Sequence, residues 1–358
     1  MTFFTSALAF VLVLGIIIFV HEFGHLITAK AFGMRVFVFS FGFGRRLLGF
    51  KWGDTDCRVS AIPLGGYVKL EGEPGDHLSE DTSALGDGND FLSRPRWQRF
   101  LVYLAGPAMN AVLTIAVLAG FYMVGFAVEG SRYDRPIVGA VDPGSPAEKA
   151  GLLPGDEILS IDGTPVRSFS EIPPLVGAAA GRAMAFRIWR EGQTLDLAIT
   201  PRDSGAGPKI GIETKTVVKQ FGPAGAVAES LRWTWDMTRQ TFEVIGRLVT
   251  ARISPKTMMG PLGIAQASGD AARGGAGSLL FLVAVISLQV GILNLFPLAP
   301  LDGGHLAILA VEGVARRDMS PAIKGWIMNA GAAVIFLLIG LVLYSDISKM
   351  GFVQRLLQ

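Results

Sequence analysis

The chain has 358 residues, of which 50% are hydrophobic and only 17% are charged, and its mean hydropathy of +0.45 is high for a soluble protein. We therefore expect a polytopic membrane protein. The net charge of +2, without a basic face or nucleic-acid motif, argues against binding of nucleic acid. Cys57 is the single cysteine, which excludes an intrachain disulfide.

The N-terminal segment is the first predicted transmembrane helix. Phe3 to Val20 carries no charge, and the segment is long enough to span a bilayer once His21 to Ala29 extends it. No Lys or Arg precedes Lys30, so the segment lacks the basic region of a secretory signal peptide. We expect it to stay in the membrane.

The end of this segment, "HEFGH", carries a candidate metal site. His21 and His25 lie four residues apart, so on a helix both imidazoles can reach one metal ion while Glu22 lies beside it. A zinc ion held in this way acidifies a water, and Glu22 can act as the general base. Ionisable residues inside a span are costly and usually functional. The alternative is a pair of histidines that snorkel to the membrane interface.

Three further apolar stretches predict spans, namely Phe100 to Val128, Leu279 to Leu298 and Ile327 to Tyr344. Lys and Arg residues concentrate between the first two spans and between the last two. The positive-inside rule then makes both of these loops cytoplasmic and places both termini on the periplasmic side of a bacterial inner membrane.

The segment after the second span predicts a small exported domain. In "GSPAEKAGLLPGDEILSIDG", Ser145 is a helix N-cap and Glu148 closes a capping box, and the helix should end at Gly151. A second helix is predicted over Glu171 to Ala180, followed by a hairpin over Met184 to Thr200. This order resembles a bacterial PDZ domain. Such a domain either binds an extended peptide or blocks bulky substrates from the membrane, and both roles stay open.

Residues 204–278 mix apolar and polar positions with helical spacing and carry Trp233 and Trp235. This pattern predicts a periplasmic helix that lies at the membrane surface. The alternative is an ordinary amphipathic helix packed on its neighbours.

A third metal ligand is expected in "NLFPLAPLDGGH", Asn294 to His305, which follows the third span. Pro297 and Pro300 break the helix, which leaves Asp302 at membrane depth near the other ligands. His305 is the rival ligand. The alternative for Asp302 is a cytoplasmic turn in which it caps the next helix.

The order of these motifs resembles the site-2 protease family of intramembrane zinc metalloproteases, and more narrowly the bacterial regulator of sigma-E protease group, here in a form with a single PDZ domain. The resemblance implies that His21, His25 and Asp302 are the zinc ligands and that Glu22 is the catalytic base. It also implies that Asn294 contacts the substrate backbone, and it gives His305 no ligand role.

The resemblance extends to three loops. In "FSFGFGRRLLGF", residues Gly42, Phe43 and Gly44 match the family's substrate-binding edge strand, and "IPLGGYVKLEGE", with Gly65 and Gly66, matches its membrane-re-entrant hairpin. From the residues alone, both could be plain hairpins of a cytoplasmic sheet. The family-like stretch "GPLGI", which begins at Gly260, has no role that the sequence explains.

The predicted fold is a polytopic α-helical membrane protein with four transmembrane helices, an inserted periplasmic α+β PDZ domain and membrane-associated cytoplasmic β-hairpins. The predicted parts are residues 1–128 with the first two spans, the PDZ domain at 129–203, the surface helical segment at 204–278, and the last two spans at 279–358.

The predicted function is zinc-dependent cleavage of single-span membrane proteins in regulated intramembrane proteolysis, after an upstream site-1 protease has trimmed the substrate. Implied substrates are anti-sigma factors and remnant signal peptides. A membrane metal transporter or a catalytically inactive zinc scaffold is the alternative. Against a transporter, the sequence shows no paired inverted repeats, and transport gives no role to a glutamate between two ligands.

Overall fold

A computed structural model of the chain describes residues 2–72, 90–129, 135–177, 181–203, 208–214, 216–250 and 259–349. The chain forms two compact units. One combines Met1–Gly120 with Gly225–Gln358, and the other is Phe121–Ala224.

The helices among the described residues are α1 (Thr2–Ala31), α2 (Arg96–Val124), α3 (Pro146–Lys149), α4 (Ile172–Gly177), α5 (Pro223–Val249), α6 (Pro261–Arg273), α7 (Ala276–Asn294), α8 (Asp302–Ala315) and α9 (Pro321–Lys349). The strands are β1 (Val36–Trp52), β2 (Thr55–Leu70), β3 (Phe126–Glu129), β4 (Val138–Val141), β5 (Glu157–Ile161), β6 (Thr164–Pro165), β7 (Met184–Arg190), β8 (Gln193–Ile199), β9 (Arg202–Asp203), β10 (Pro208–Lys209), β11 (Ile212–Thr214) and β12 (Thr216–Lys219).

Four of these helices, α1, α2, α7 and α9, are long and apolar enough to cross a membrane. Their candidate spans are Phe4–Ala31, Arg96–Val124, Ala276–Asn294 and Pro321–Ser348. The four predicted spans are therefore confirmed, with shifted ends. The third helix ends at Asn294 rather than Leu298, because Pro297 has no N–H to continue the helical hydrogen bonds.

Glycines bring the first two spans into close contact. A Cβ at Gly24 of α1 would lie 2.4 Å from the carbonyl oxygen of Ala105 on α2. Hydroxyl groups join α2 to α7, since Thr114 donates to the carbonyl of Ala284 at 2.9 Å and Ser287 donates to that of Asn110 at 3.0 Å. In a bilayer the hydrophobic effect does not drive helices together, because lipid is as apolar as the helix surfaces. Close packing of small residues and interhelical hydrogen bonds stabilise helix association instead.

Strands β1 and β2 form a long antiparallel ribbon, from the pair Val36 and Leu70 at its base to Trp52 and Thr55 at its tip. Residues 38–41 of β1 also have partners at 56–59 of β2, so this part of β1 is paired on both sides. The predicted free edge around Gly42 is therefore absent from the described ribbon. A Cβ on Gly42 would lie 2.6 Å from the carbonyl oxygen of Ile62.

The second unit contains a four-stranded sheet in the order β6-β5-β7-β8. Its core includes the fully buried Ile158, Phe186 and Ile188. Strands β7 and β8 form the predicted hairpin, which turns at Glu191 and Gly192 with φ angles of 47° and 87°. Both angles are positive, as a tight two-residue hairpin turn requires.

The helices and borders of this unit differ in part from the prediction. Ser145 accepts the Glu148 N–H as predicted, but the Glu148 carboxylate accepts from Gly144 rather than from Ser145. The second helix is the short α4, and residues 178–180 of the predicted helix lie outside the described chain. The unit extends beyond the predicted border at residue 203. Strands β11 and β12 lie after that border and pair with β4 and β3 of the unit.

Helix α5 packs side by side with α7 along the length of both helices. Three contacts define this path: the Trp233 and Phe281 rings are 6.0 Å apart, Gln289 donates to the Thr241 hydroxyl at 3.0 Å, and the Phe242 and Phe296 rings are 6.2 Å apart. The pairs advance together along both helices, so the two run parallel. This differs from the predicted surface helix, because one stripe of α5 is used for packing on a span.

Helix α6 is capped by a carboxylate from α9. Asp346 accepts the N–H groups of Gly260 and Gly263 at 3.2 Å each. A carboxylate at a helix N-terminus accepts hydrogen bonds from the free N–H groups there, and its negative charge interacts favourably with the helix dipole. This contact supplies the physical role of the "GPLGI" stretch that the sequence did not explain.

We predict that Asp346→Ala lowers the stability of the helical unit by about 0.5–2 kcal/mol, the usual cost of removing a helix cap. The measurement is thermal unfolding of the purified chain in detergent. Asp270→Ala is the matched control, because Asp270 is an exposed aspartate on the capped helix α6 but lies far from its N-terminus. Equal unfolding temperatures for the two variants would contradict the capping role.

Candidate active site

Two imidazoles converge on the inner face of α1. His21 and His25 are both buried, and the spacing of four residues stacks them one turn apart. Their Nε2 atoms lie 3.3 Å apart. Two ring nitrogens at this distance need a shared proton or a shared cation between them.

Asp302 brings a carboxylate to the same point from the first turn of α8. Its Oδ2 lies 3.1 Å from Nε2 of His21, and its Oδ1 lies 3.5 Å from Nε2 of His25. The alternative N-cap role does not hold, since Leu301 is the N-cap residue and the Asp302 carboxylate faces the histidines. The loop before α8 folds tightly, because a Cβ on Gly303 would lie 2.2 Å from the Phe296 carbonyl oxygen.

The far side of each imidazole is held by α2. Nδ1 of His25 lies 2.7 Å from the carbonyl oxygen of Val102, to which it donates, and this leaves Nε2 of His25 without a proton. Nδ1 of His21 lies 3.2 Å from the side-chain amide of Asn110. Partners behind metal-binding histidines fix the orientation of the rings.

The three side chains fit a zinc ion. Their ligand atoms all lie within 4.8 Å of one another. Oδ2 of Asp302 is buried and has no hydrogen-bond partner among the described residues, which is costly unless a cation is present. Two imidazoles and one carboxylate form a donor set found in catalytic zinc sites, where a fourth position stays open.

Glu22 faces a cavity of about 470 Å³ that contains the three ligands. The side chain of Glu22 lies against β2 at Gly66. Gly66 makes this approach possible, since a Cβ there would lie 3.2 Å from Cγ of Glu22.

His305 also lines the cavity but lies apart from the ligand group. Its ring stacks on Tyr103 with centroids 4.5 Å apart and an interplanar angle of 8°. Burial lowers the pKa of His305, which favours the neutral ring. Asp302, and not His305, completes the cluster.

The predicted substrate-binding residues divide into two groups. Asn294, Gly65 and Gly66 line the cavity. Phe43 lies behind its wall, where its ring is 5.9 Å from that of Tyr67 and nearly parallel to it. Gly42 and Gly44 flank Phe43 and do not line the cavity.

Sequence reasoning missed the contribution of α2. Gly106 packs against both imidazoles, because a Cβ there would lie 2.3 Å from Nε2 of His25 and 2.8 Å from Cε1 of His21. Asn110 is fully buried behind His21. An asparagine inside an apolar span was a usable signal, since polar side chains there are expensive and usually have a partner.

Comparisons with known proteins agree on one family. The model of peptidase family M50 matches residues 9–338. A protein of Brucella suis named as a zinc metalloprotease is 36% identical over 96% of this chain and 95% of its own length. The regulator of sigma-E protease RseP of Escherichia coli is 27% identical over 98% of this chain and 100% of its own length. A solved PDZ domain from Listeria monocytogenes, 25% identical, covers 23% of this chain and 85% of that chain at a TM-score of 0.20, which is too low to support an argument.

We predict that Gly106→Ala weakens zinc binding by about tenfold or more, because the added methyl group displaces a ligand ring held from behind. The measurement is zinc affinity by competition with a chelator. Gly120→Ala on the same helix is the matched control, since no atom lies within 4 Å of a Cβ there. Parental affinity in Gly106→Ala would show that the rings do not occupy this position when zinc binds.

Proposed function

The chain belongs to peptidase family M50 and is a zinc metalloprotease, and from this premise we propose that it cleaves single-span membrane proteins inside the bilayer, near the cytoplasmic face. One observation carries the proposal. His21, His25, Asp302 and Glu22 meet at a cavity walled by candidate membrane helices and by the β1–β2 ribbon.

Each polar group at the cavity has a distinct task in peptide hydrolysis. His21, His25 and Asp302 would hold the zinc ion. When bound there, it would supply a Lewis acid for the scissile carbonyl and for a water molecule. Glu22 takes the proton of the attacking water and passes it to the leaving nitrogen. Its position at the cavity beside the ligands, against Gly66, supports this assignment.

The outer edge of β2 offers a way to hold the substrate. Residues 66–70 pair with β1 on one side, while Gly66, Tyr67 and Val68 line the cavity. A helical substrate must unwind before its peptide bonds are exposed, and pairing with an open edge replaces the hydrogen bonds that it loses. We assign this capture to Gly65, Gly66 and the residues after them, with Asn294 on the opposite wall.

Gly42, Phe43 and Gly44, which the sequence predicted as the substrate-binding edge strand, lie behind the cavity wall. Phe43 packs on Tyr67, and a Cβ on Gly65 would lie 2.2 Å from the Phe43 ring. Gly42 and Gly44 let the chain turn on either side of Phe43, since their φ angles are +91° and +86°. In our proposal these three residues support the capturing strand and do not touch the substrate.

The ribbon tip supports the proposed orientation in the bacterial inner membrane. Leu47, Leu48 and Phe50 are all more than half exposed, and Arg45 and Lys51 flank them in the chain. Apolar side chains next to basic ones suit the interface of an anionic cytoplasmic leaflet. With the ribbon on that side, both termini lie in the periplasm.

The name of one relative supports a proposal for the substrate class. RseP of Escherichia coli is named as a regulator of sigma-E protease. We propose anti-sigma factors and remnant signal peptides as substrates, cut after an upstream site-1 protease has removed the bulk of the ectodomain. The inserted unit, Phe121–Ala224, would select for such trimmed substrates, either by size or by binding the new terminus.

The decisive prediction concerns Glu22→Gln. The amide keeps the size and hydrogen-bonding capacity of the side chain but cannot take a proton, so cleavage of a model transmembrane substrate should fall by about a hundredfold or more. Zinc content should stay at the parental level. Metal analysis and cleavage assays on the same detergent-solubilised preparation measure both.

The controls separate the base from the ligands. His25→Phe and Asp302→Ala should lose zinc, whereas His305→Ala should retain it. A Glu22→Gln protein that cleaves at the parental rate would end the proposed mechanism. Full zinc occupancy in Asp302→Ala would move the third ligand elsewhere.

The edge-capture proposal predicts a pattern of photo-crosslinks. In the Glu22→Gln background, a benzophenone amino acid at Val68 should crosslink to a transmembrane substrate because Val68 lines the cavity. The same group at Leu48, which is 71% exposed on the ribbon tip, is the control. Equal crosslinking from both positions would mean that the substrate does not settle on this edge.

Most of the inserted unit can be deleted while the β3–β12 strand pair at its two chain connections is kept. Strands β3 and β12 are antiparallel, with Glu129 opposite Thr216, so a short Gly-Ser linker can replace residues 135–214. If the unit excludes large substrates, the variant should cleave substrates with intact ectodomains as fast as trimmed ones. If it binds peptide, cleavage of trimmed substrates should fall instead. Unchanged rates for both substrates would reject both roles.

A further inference from the structure

We infer that Asn110 is a positioning residue for the metal ligand His21. Its side-chain amide oxygen accepts the Nδ1 proton of His21 and so holds the ring with a bare Nε2 toward Asp302 and His25. The inference rests on the proposed function, because it takes His21 as a zinc ligand.

The argument begins with the protons of the two imidazoles. His25 donates its Nδ1 proton to the Val102 carbonyl, so the backbone of α2 already leaves Nε2 of His25 free to bind a metal. His21 has no backbone carbonyl in this role among its described contacts. The side-chain amide of Asn110 lies at the equivalent place, 3.2 Å from Nδ1 of His21.

An amide can turn either its nitrogen or its oxygen to the ring, and the two orientations have different consequences. With the nitrogen toward the ring, Nδ1 is an acceptor, and the proton of neutral His21 sits on Nε2, where it blocks a metal. With the oxygen toward the ring, the proton sits on Nδ1 and Nε2 is free. The structure shows the first orientation, with Nδ2 of Asn110 3.2 Å from Nδ1 of His21. In that orientation Oδ1 of Asn110 has no hydrogen-bond partner among the described residues, so rotating the amide by half a turn breaks no hydrogen bond to that oxygen.

The surroundings of Asn110 separate this role from packing. The residue is 0% exposed, so water does not compete for the amide. Its backbone is fixed independently, because its carbonyl accepts a hydrogen bond from the Ser287 hydroxyl at 3.0 Å. A Cβ on Gly291 would lie 3.2 Å from its Cβ. Changes beyond the Cβ of Asn110 therefore test the amide itself.

The experiment compares Asn110→Leu with Asn110→Asp in the full chain. Leucine has a similar volume but no acceptor, so the zinc dissociation constant should rise by about 10- to 100-fold, the usual effect of losing a partner behind a metal ligand. Aspartate still accepts the Nδ1 proton and should restore affinity to the parental level. Chelator competition measures the affinity, and the cleavage rate at saturating zinc should recover in Asn110→Leu.

Ser287→Ala is the matched structural control. It breaks the hydrogen bond from α7 to the Asn110 carbonyl without touching the amide, and its zinc affinity should stay parental. Parental affinity in Asn110→Leu, or an equal loss in Ser287→Ala, would overturn the inference. If His25→Phe and Asp302→Ala retain zinc, the proposed ligand set has failed. If they lose zinc while Asn110→Leu does not, only the role of Asn110 has failed.

A measurement on the parental protein covers the case in which Asn110→Leu does not fold. The chain has only 4 histidines, so ¹⁵N-histidine NMR of the zinc-loaded protein is tractable, with the His77 and His305 signals identified from variants that keep the ligand set. The two remaining signals belong to His21 and His25, and both should show a protonated Nδ1. The inference requires a protonated, hydrogen-bonded Nδ1 on His21. A bare Nδ1 in the zinc-loaded protein would refute it.

Discussion

The structure depends on one constraint: a carboxylate from one end of the chain must meet two imidazoles from the other end inside an apolar helical bundle. Asp302 lies 3.1 Å and 3.5 Å from the Nε2 atoms of His21 and His25. Burying these groups is unfavourable unless a cation compensates. The packing contacts that bring these three groups together therefore create the metal site, and with it the peptidase site, within the membrane bundle.

The close approach is achieved with small residues and with polar contacts between helices. Gly24 and Gly106 remove the side chains that would separate α1 from α2, and Gly303 and Gly304 allow α8 to fold back onto the loop that precedes it. The hydroxyl of Ser287 fastens α2 to α7. In a bilayer such contacts replace the hydrophobic drive of a soluble core. Helix α2 contributes no ligand, yet it holds both ligand rings.

The ribbon of β1 and β2 gives the site its other wall. Its strand at residues 66–70 faces the catalytic cavity, and Gly66 lies against the side chain of Glu22. A single short strand therefore positions the base and presents an edge beside the metal ligands. In this proposal, capture of an unwound substrate and activation of water occur side by side, which limits hydrolysis to chains that have paired with the edge.

The sequence by itself determined what depends on local pattern. Apolar length predicted four spans, the spacing of His21 and His25 predicted a shared ion, and the turn residues Glu191 and Gly192 predicted a hairpin. The spans and the hairpin hold, and the two imidazoles lie together as their spacing requires, because a helical turn, a strand pair and a hydrophobic thickness are all set by neighbours in the chain. The identity of the third ligand needed more than pattern, since spacing alone left Asp302 and His305 as rivals.

Only the tertiary structure decided which residues meet. It placed Asp302 in the cluster and His305 against Tyr103, and it paired β1 on both sides so that the open edge lies near Gly66 and not Gly42. It also turned α5 along α7. The partners of Asn110 and Asp346 could not be identified from the sequence, because each lies more than eighty residues away in the chain. Local sequence sets the elements, but contacts at that separation exist only once the elements have packed.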